Sequence, residues 1–328
     1  MHSTSVGVAA TGHSRRSSLA PRSSRRTAQY ADGVRGSPTI SRRSALLLAV
    51  AAATSACNSH SRRTTPLGGD ASAPVTPTPT AAPTPAPAAL PGPTHWRPGP
   101  GELVPVAKDA AVRRIERLGD AADRRVEVID AQYGGLLTDT ASVLVVTRSL
   151  TRRAGRVLVG GHTFDVRVAL LGGRWRVTAV HPSRPGPPAA RPSAAVRHVL
   201  ASPRIDLPPA ARADVASGLV HDSVLEAMLA VTRRWPIGVS VVRTGHPLHV
   251  FGTDRRSDHP PGRAFDTWRI GAHAVVRPTT PRALVAAYME ALAAAGSYNV
   301  GGPVVLGSAP QFFSDRTHHD HVHAGLTQ

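Results

Sequence analysis

The chain has 328 residues, a formal net charge of +18 and a single cysteine. Lys108 is its only lysine, and the accompanying excess of Arg, Ala, Pro, Gly and Val is what GC-rich codons give, so the charge does not argue for nucleic acid and no nucleic-acid partner is expected. One cysteine excludes an intramolecular disulfide and a metal site built on thiolates, leaving His, Asp and Glu as the ligands available to a metal.

Residues 1–57 read as an export signal. Arg42 and Arg43 precede an apolar run too short to span a bilayer, then small residues and Cys57. This segment resembles a bacterial lipoprotein signal of the twin-arginine type. The resemblance implies that Cys57 is acylated and that the chain sits at the outer face of the cytoplasmic membrane on a lipid anchor. The plainer alternative is a cleaved signal with an unmodified cysteine, which also exports the chain. Residues 58–100, with TPTPTAAPTPAPAALPGP, are too poor in bulky apolar side chains to offset ordering entropy and are expected to be a disordered, semi-rigid spacer.

Residues 101–181 are expected to form a first small α+β domain. Val104, Ala107, Ala110, Val112 and Ile115 recur at roughly helical intervals, and Gly119 can end that helix. VEVIDAQYG and ASVLVVTRSL then read as strands. In FDVRVALLGGRWRVTAVH the period is two: Phe164, Val166 and Val168 alternate with polar residues, Gly172-Gly173 turns, and Trp175, Val177 and Ala179 return, which predicts a hairpin with one buried face. A helix followed by long antiparallel strands resembles the cone-shaped α+β fold of nuclear-transport-factor-like accessory domains of exported actinobacterial proteins. That resemblance implies a spacer or interaction role, and no catalytic cluster is visible in the segment.

Residues 182–193 (PSRPGPPAARPS) read as a linker, and residues 194–328 as a second α+β domain. HDSVLEAMLAVTRRW predicts a helix capped by Asp222 and ended by Pro236 and Gly238. Val239 to Thr244 reads as a buried strand, and TTPRALVAAYMEALAAAG as a helix with Thr280 as cap and Pro281 in its first position.

Two stretches of this domain carry ligand chemistry. In SDHPPGRAFD, His259 and Asp266 can face one ion if the chain reverses at Pro260-Pro261-Gly262. In HHDHVH, alternation along a strand puts His321 and His323 on one side. If the stretches converge, they supply the three protein ligands that a catalytic zinc needs while leaving a position open for water. The bland alternative for the second stretch alone is a solvated histidine-rich tail.

The pattern Ser257-x-His259-x-x-Gly262-x-Ala264-x-Asp266, closed by a terminal His-x-His, resembles the zinc D-alanyl-D-alanine metallopeptidases. These comprise D,D-carboxypeptidases, D,D-dipeptidases and wall endopeptidases, with the hedgehog signalling domain as a non-peptidase relative. The resemblance covers about Val239 to Gly325 and implies a hedgehog-like fold with an antiparallel sheet and flanking helices. It implies His259, Asp266 and His323 as ligands of Zn2+, and as general base either Asp320, which stands where one branch has glutamate, or His321. A regular strand would turn Asp320 away from His323, so Asp320 can act only where the chain bends. An arginine is implied for the oxyanion or a terminal carboxylate; Arg243 is the candidate, with His246 or Arg256 as alternatives. The expected function is zinc-dependent hydrolysis of peptidoglycan stem peptides, as a carboxypeptidase or an endopeptidase. The alternative is a zinc-containing module that binds wall peptides without cleaving them.

Overall fold

The computed structural model describes residues 89–327 apart from 93, 120 and 308, so Cys57, the export signal and the spacer up to residue 88 lie outside the described residues. Helix α1 (Pro105–Glu116) starts with its proline in the first turn, where a missing N–H costs nothing. It lies against a five-stranded antiparallel sheet of order β1-β2-β4-β5, with β3 paired to β2. The strands are β1 (Arg124–Leu136), β2 (Thr140–Arg153), β3 (Arg156–Gly160), β4 (Thr163–Leu171) and β5 (Arg174–Pro182). The expected hairpin is β4–β5, with Leu171 opposite Arg174 across the Gly172-Gly173 turn.

The face that α1 turns inward differs from the apolar reading by one feature. Ala107, Ala111, Val112 and Ile115 are buried as a helical stripe, and Lys108 is buried with them at 0% exposure, whereas Ala110 is only half-buried. In β2, residues Ala141 to Thr147 are buried without alternation. Both faces of that strand are covered, which is the condition under which a strand reads as one continuous apolar run. Ala141, Val143 and Val145 face the α1 core. Leu144 and Val146 face the other way and pack on Val241 of the C-terminal region.

The C-terminal region is a second α+β arrangement. A seven-stranded mixed sheet runs β11-β10-β12-β8-β7-β6, with β9 paired to β8. Its strands are β6 (Ile205–Asp206), β7 (Ile237–Val239), β8 (Ala264–Ile270), β9 (His273–Ala274), β10 (Ser297–Gly301), β11 (Phe312–Phe313) and β12 (Val322–Leu326). The central run β10-β12-β8-β7 is antiparallel and the short outer pairs β6/β7 and β10/β11 are parallel. Helices α2 (Ala194–Ala201), α3 (Pro209–Ala216), α4 (Asp222–Thr232) and α5 (Arg282–Ala294) flank the sheet. Leu225 and Met228 of α4, Tyr288 and Leu292 of α5, and Phe265 of β8 share its core.

Three local boundaries differ from expectation. His221 and Pro281, each one position from the expected Asp222 and Thr280, occupy the cap positions of α4 and α5; Thr280 instead donates its hydroxyl to the Ala274 carbonyl. The strand expected over Val239 to Thr244 is β7, ending at Val239 after a register shift; Ser240 to Val242 continue buried beside β8, with the Ser240 N–H donating to the Asp266 carbonyl and the Asp266 N–H to that of Val241. Residues 182–193 are docked rather than free where Ser183 and Ala189 donate backbone hydrogen bonds to Thr163 and Ala216.

The two arrangements belong to one compact unit. Strand β1, an edge of its sheet, is closed off by the C-terminal region: Tyr133 N–H donates to Asp320 and Leu136 N–H to the Thr317 hydroxyl. Covering an edge in this way satisfies donors that would otherwise be open to pairing with another chain. A register shift between Tyr133 and Gly135 turns the strand there, and a Cβ on Gly135 would stand 2.0 Å from that of Phe251, so only glycine allows the approach. No helix among the described residues is long and apolar enough to cross a membrane.

Candidate metal centre

The segment between β7 and β8 reverses at Gly262, which has φ of +79° and donates its N–H to the His259 carbonyl at 2.8 Å. A side chain there would be strained, and its Cβ would lie 2.2 Å from the Leu219 carbonyl oxygen. The reversal brings His259 over the start of β8, where Asp266 stands. Strand β12 pairs with β8 so that His323 is directly opposite Asp266, and cross-strand partners place their side chains on one face. Turn and register thus deliver the three expected ligands to one point.

His259 Nε2 lies 3.1 Å from Asp266 Oδ1 and 3.2 Å from His323 Nδ1, and the latter two are 3.0 Å apart. Ligands bound tetrahedrally at about 2.0–2.1 Å from zinc are about 3.3 Å from one another, so this near-equilateral triangle is already of ligand size. His259 Nδ1 donates to the Val242 carbonyl at 2.7 Å, which fixes the tautomer and leaves Nε2 with a lone pair. Lone pairs converging from an imidazole, a carboxylate and a second imidazole need a proton or a metal cation at their centre.

The electrostatics agree. Burial alone would lower the His259 imidazole, but the Asp266 carboxylate and the Val242 carbonyl carry it above its ordinary value. Burial would raise Asp266, yet His259 and His321 hold it well below the usual carboxylate range. Burial lowers His323 to about 4, only partly opposed by Asp266, so this ring is neutral and open to ligation at neutral pH.

His246 joins the group. Its ring stacks on that of His259 at 4.1 Å, and its donor atom lies within 4.8 Å of those of His259 and Asp266. Nδ1 is 3.0 Å from the Pro247 carbonyl, which can only accept, so Nε2 is left unprotonated. Ser257, first residue of the motif, bonds His246 Nδ1 and accepts from the His259 N–H. Two donor sets therefore share His259 and Asp266, one completed by His323 and the other by His246.

Of the other expected residues, His321 lies in the same cleft and Asp320 does not line it. A short 3-10 turn over Thr317–His319 precedes Asp320, so the chain does bend there. The bend turns Asp320 outward from the triangle and into the other sheet. Its Oδ2 accepts from Lys108 Nζ at 2.6 Å and from Tyr133 N–H at 3.0 Å, and its Oδ1 accepts from His321 Nδ1 at 2.6 Å. Burial would raise Asp320, but Lys108 and His321 hold it below the ordinary carboxylate range. The far nitrogen of His321, Nε2, is 3.9 Å from Asp266 Oδ2. Burial opposes charge on His321, and the Asp266 and Asp320 carboxylates outweigh it and raise the imidazole.

Arg243, too, is taken elsewhere. Its guanidinium bonds the Pro185 carbonyl at 3.0 Å and approaches Asp214, outside the cleft. Arg255 and Arg256 line the cleft instead, together with Gly134 and Leu136 from β1. Asp315 and His318 pair with each other at 2.8 Å, and the His318 ring lies 5.1 Å from that of His321.

A second cluster, Glu102, His319 and Asp320, also has metal-ligand composition. Its centre belongs to the Lys108 ammonium, which bonds both Glu102 and Asp320, while His319 Nε2 accepts from the Leu103 N–H. Sequence reasoning missed Lys108, Gln132 and Ser240, all of which contact the centre or its supports. The available signal was a sole lysine on a predicted helix face in a chain that otherwise uses arginine.

Compared with known proteins, the chain matches no family model, no curated protein and no solved structure.

Proposed function

We propose that the chain is an exported zinc peptidase of the cell surface, anchored through Cys57, that hydrolyses peptidoglycan stem peptides, and that its C-terminal region has the hedgehog-like zinc fold of the D,D-peptidases. The observation that carries this reading is the triangle of His259 Nε2, Asp266 Oδ1 and His323 Nδ1, with His259 held from behind by a carbonyl. The donor set fits zinc: two imidazoles and one carboxylate oxygen, no thiolate, and a cleft on the open side. Zinc there would acidify a water and polarise the scissile carbonyl.

The remaining work falls to the chain's own residues. In its neutral form His321 gives its Nδ1–H to Asp320, so Nε2 is the atom free to take a proton from the attacking water and return it to the leaving amine. Asp320 fixes the tautomer, as an acid behind a histidine base does. Arg255 and Arg256 at the cleft wall supply the cationic partners for a terminal carboxylate or a developing oxyanion, the part expected of Arg243.

The test is metal analysis of the purified full chain followed by mass spectrometry of muropeptides digested with it. One zinc per chain and new cleavage products are expected; His323→Ala should lose both, and His321→Ala should keep the zinc and lose the cleavage. Stoichiometric zinc without cleavage of any muropeptide would leave the non-catalytic wall-binding module, and absence of tight zinc would end the proposal altogether.

A further inference from the structure

Two of the residues that hold the metal centre in shape come from outside the region that supplies its ligands. Asp266 carries two oxygens, and only Oδ1 faces the triangle. Its Oδ2 accepts from Gln132 Nε2 at 2.6 Å, across 134 positions of sequence. The amide orientation follows from the partners: a carboxylate only accepts, so Nε2 faces Asp266, and Oε1 is left to accept from the Ser240 hydroxyl, which it does. Gln132 is buried at 1% exposure and stands on β1, on the face turned away from α1.

The second support is Lys108. It bonds Glu102 in its own segment and Asp320 in the other, and Asp320 bonds His321. A buried ion pair rarely stabilises a fold more than apolar side chains of similar volume would. An ammonium placed in the stripe between Ala107 and Ala111, in a chain that otherwise uses arginine for its permanent positive charges, is therefore poorly explained by stability alone. The compact ammonium, on its flexible stem, bonds Glu102 and Asp320 from a single atom, which a planar guanidinium fork cannot do.

We propose that Gln132 and Lys108 are positioning residues of the metal centre: Gln132 locks the Asp266 carboxylate so that one oxygen is presented to the metal, and Lys108 locks Asp320 so that His321 is held as the Nδ1–H tautomer. The centre is then composite, with ligands from the C-terminal region and two of their supports from residues 101–181. The claim about Gln132 rests on the donor triangle being a metal site, and the claim about Lys108 on the hydrogen bond between His321 Nδ1 and Asp320.

The experiment uses the full chain, with zinc as the probe in competition with a chromogenic chelator, and imidazole 15N shifts to read the His321 tautomer. Gln132→Met should weaken zinc binding about 10- to 100-fold, the usual effect of removing a partner behind a ligand, while leaving the fold intact by circular dichroism. Lys108→Met should leave zinc affinity within about 2-fold of wild type and convert His321 from the single Nδ1–H form to a tautomer mixture. Where Lys108→Met does not fold, Lys108→Met with Glu102→Gln removes the stranded carboxylate and carries the same readout. In a cleaving enzyme Lys108→Met should lower kcat rather than raise KM, and have no further effect in a His321→Ala background, whereas general damage would add to it. Wild-type zinc affinity in Gln132→Met, or an unchanged His321 tautomer in the lysine variant, overturns the proposal. Neither readout requires hydrolysis, so a chain that binds zinc and cleaves nothing sinks the peptidase reading and not this one.

Discussion

Replacing Asp130 by asparagine should stabilise the protein at pH 8 and leave its stability unchanged near pH 4. Asp130 stands half-buried on β1 within electrostatic reach of Lys108, and its Oδ2 is enclosed with no hydrogen-bond partner among the described residues. Burial pushes its carboxyl up to about 7 from an ordinary 3.8; the nearby Asp320 and Glu102 add to the rise and Lys108 opposes it. The rise is about 3 units, and at about 1.4 kcal/mol per unit it corresponds to at most about 4 kcal/mol. The sign follows from proton binding. Below pH 4 both folded and unfolded chains hold this proton, and the group contributes nothing. Between about 4 and 7 the unfolded chain releases it first, so stability falls as pH rises. Above 7 the full penalty is present. Asparagine mimics the protonated acid at every pH, so the variant should gain up to about 4 kcal/mol at pH 8 and nothing at pH 4. Urea denaturation of both proteins at pH 4, 6 and 8, in the presence of a chelator, isolates the difference because all other groups titrate alike in the pair. A gain that does not grow with pH, or a loss at pH 8, would show that Lys108 already neutralises the cluster and that Asp130 is ionised within it.

Two further outcomes test the centre itself. Asp320→Asn should keep zinc and reduce muropeptide hydrolysis by about 10²- to 10⁴-fold, because an amide nitrogen facing His321 favours the wrong tautomer; a rate within about 3-fold of wild type would remove Asp320 from the mechanism. Gly262→Ala should weaken zinc binding and cost about 2 kcal/mol or more, since the new Cβ meets the Leu219 carbonyl and the backbone is in the left-handed region. Chelator competition and thermal melting measure both, and an alanine variant that binds zinc like the wild type would show that this turn does not place His259.

Much of this was legible where periodicity and turn chemistry act locally. The β4–β5 hairpin follows from alternation around Gly172-Gly173, and the approach of His259 to Asp266 from the glycine that the reversal needs. What periodicity hides is a polar residue buried for the sake of a distant partner. Lys108 lies in the α1 stripe because Asp320 awaits it, 212 positions away, and apolar spacing alone pointed to Ala110. Gln132 was invisible for the same reason. The unbroken run from Ala141 to Thr147 did carry a signal, since a strand apolar on both faces must be covered on both; reading it so would have predicted that a second layer packs on the sheet opposite α1. Arg243 was misplaced because pairing with β8 turns irregular after a register shift and its backbone bonds stop at Val241, and side-chain direction cannot be extrapolated through an irregular segment.

Under the proposed peptidase reading, the choice between Asp320 and His321 as base turns on reach and prior commitment. Asp320 holds three hydrogen bonds, from a lysine, a backbone N–H and the neighbouring imidazole, so both of its oxygens are engaged on the side away from the metal ligands. To accept a proton from water in the cleft it would have to abandon the buried Lys108, and breaking one partner of such a pair leaves the other charge uncompensated at a cost of about 3–5 kcal/mol. His321 requires no rearrangement: Nδ1 is occupied by Asp320, and Nε2 already faces the cleft beside Asp266. A carboxylate one methylene shorter than glutamate cannot both reach the metal side and hold the imidazole, and in this chain it holds the imidazole.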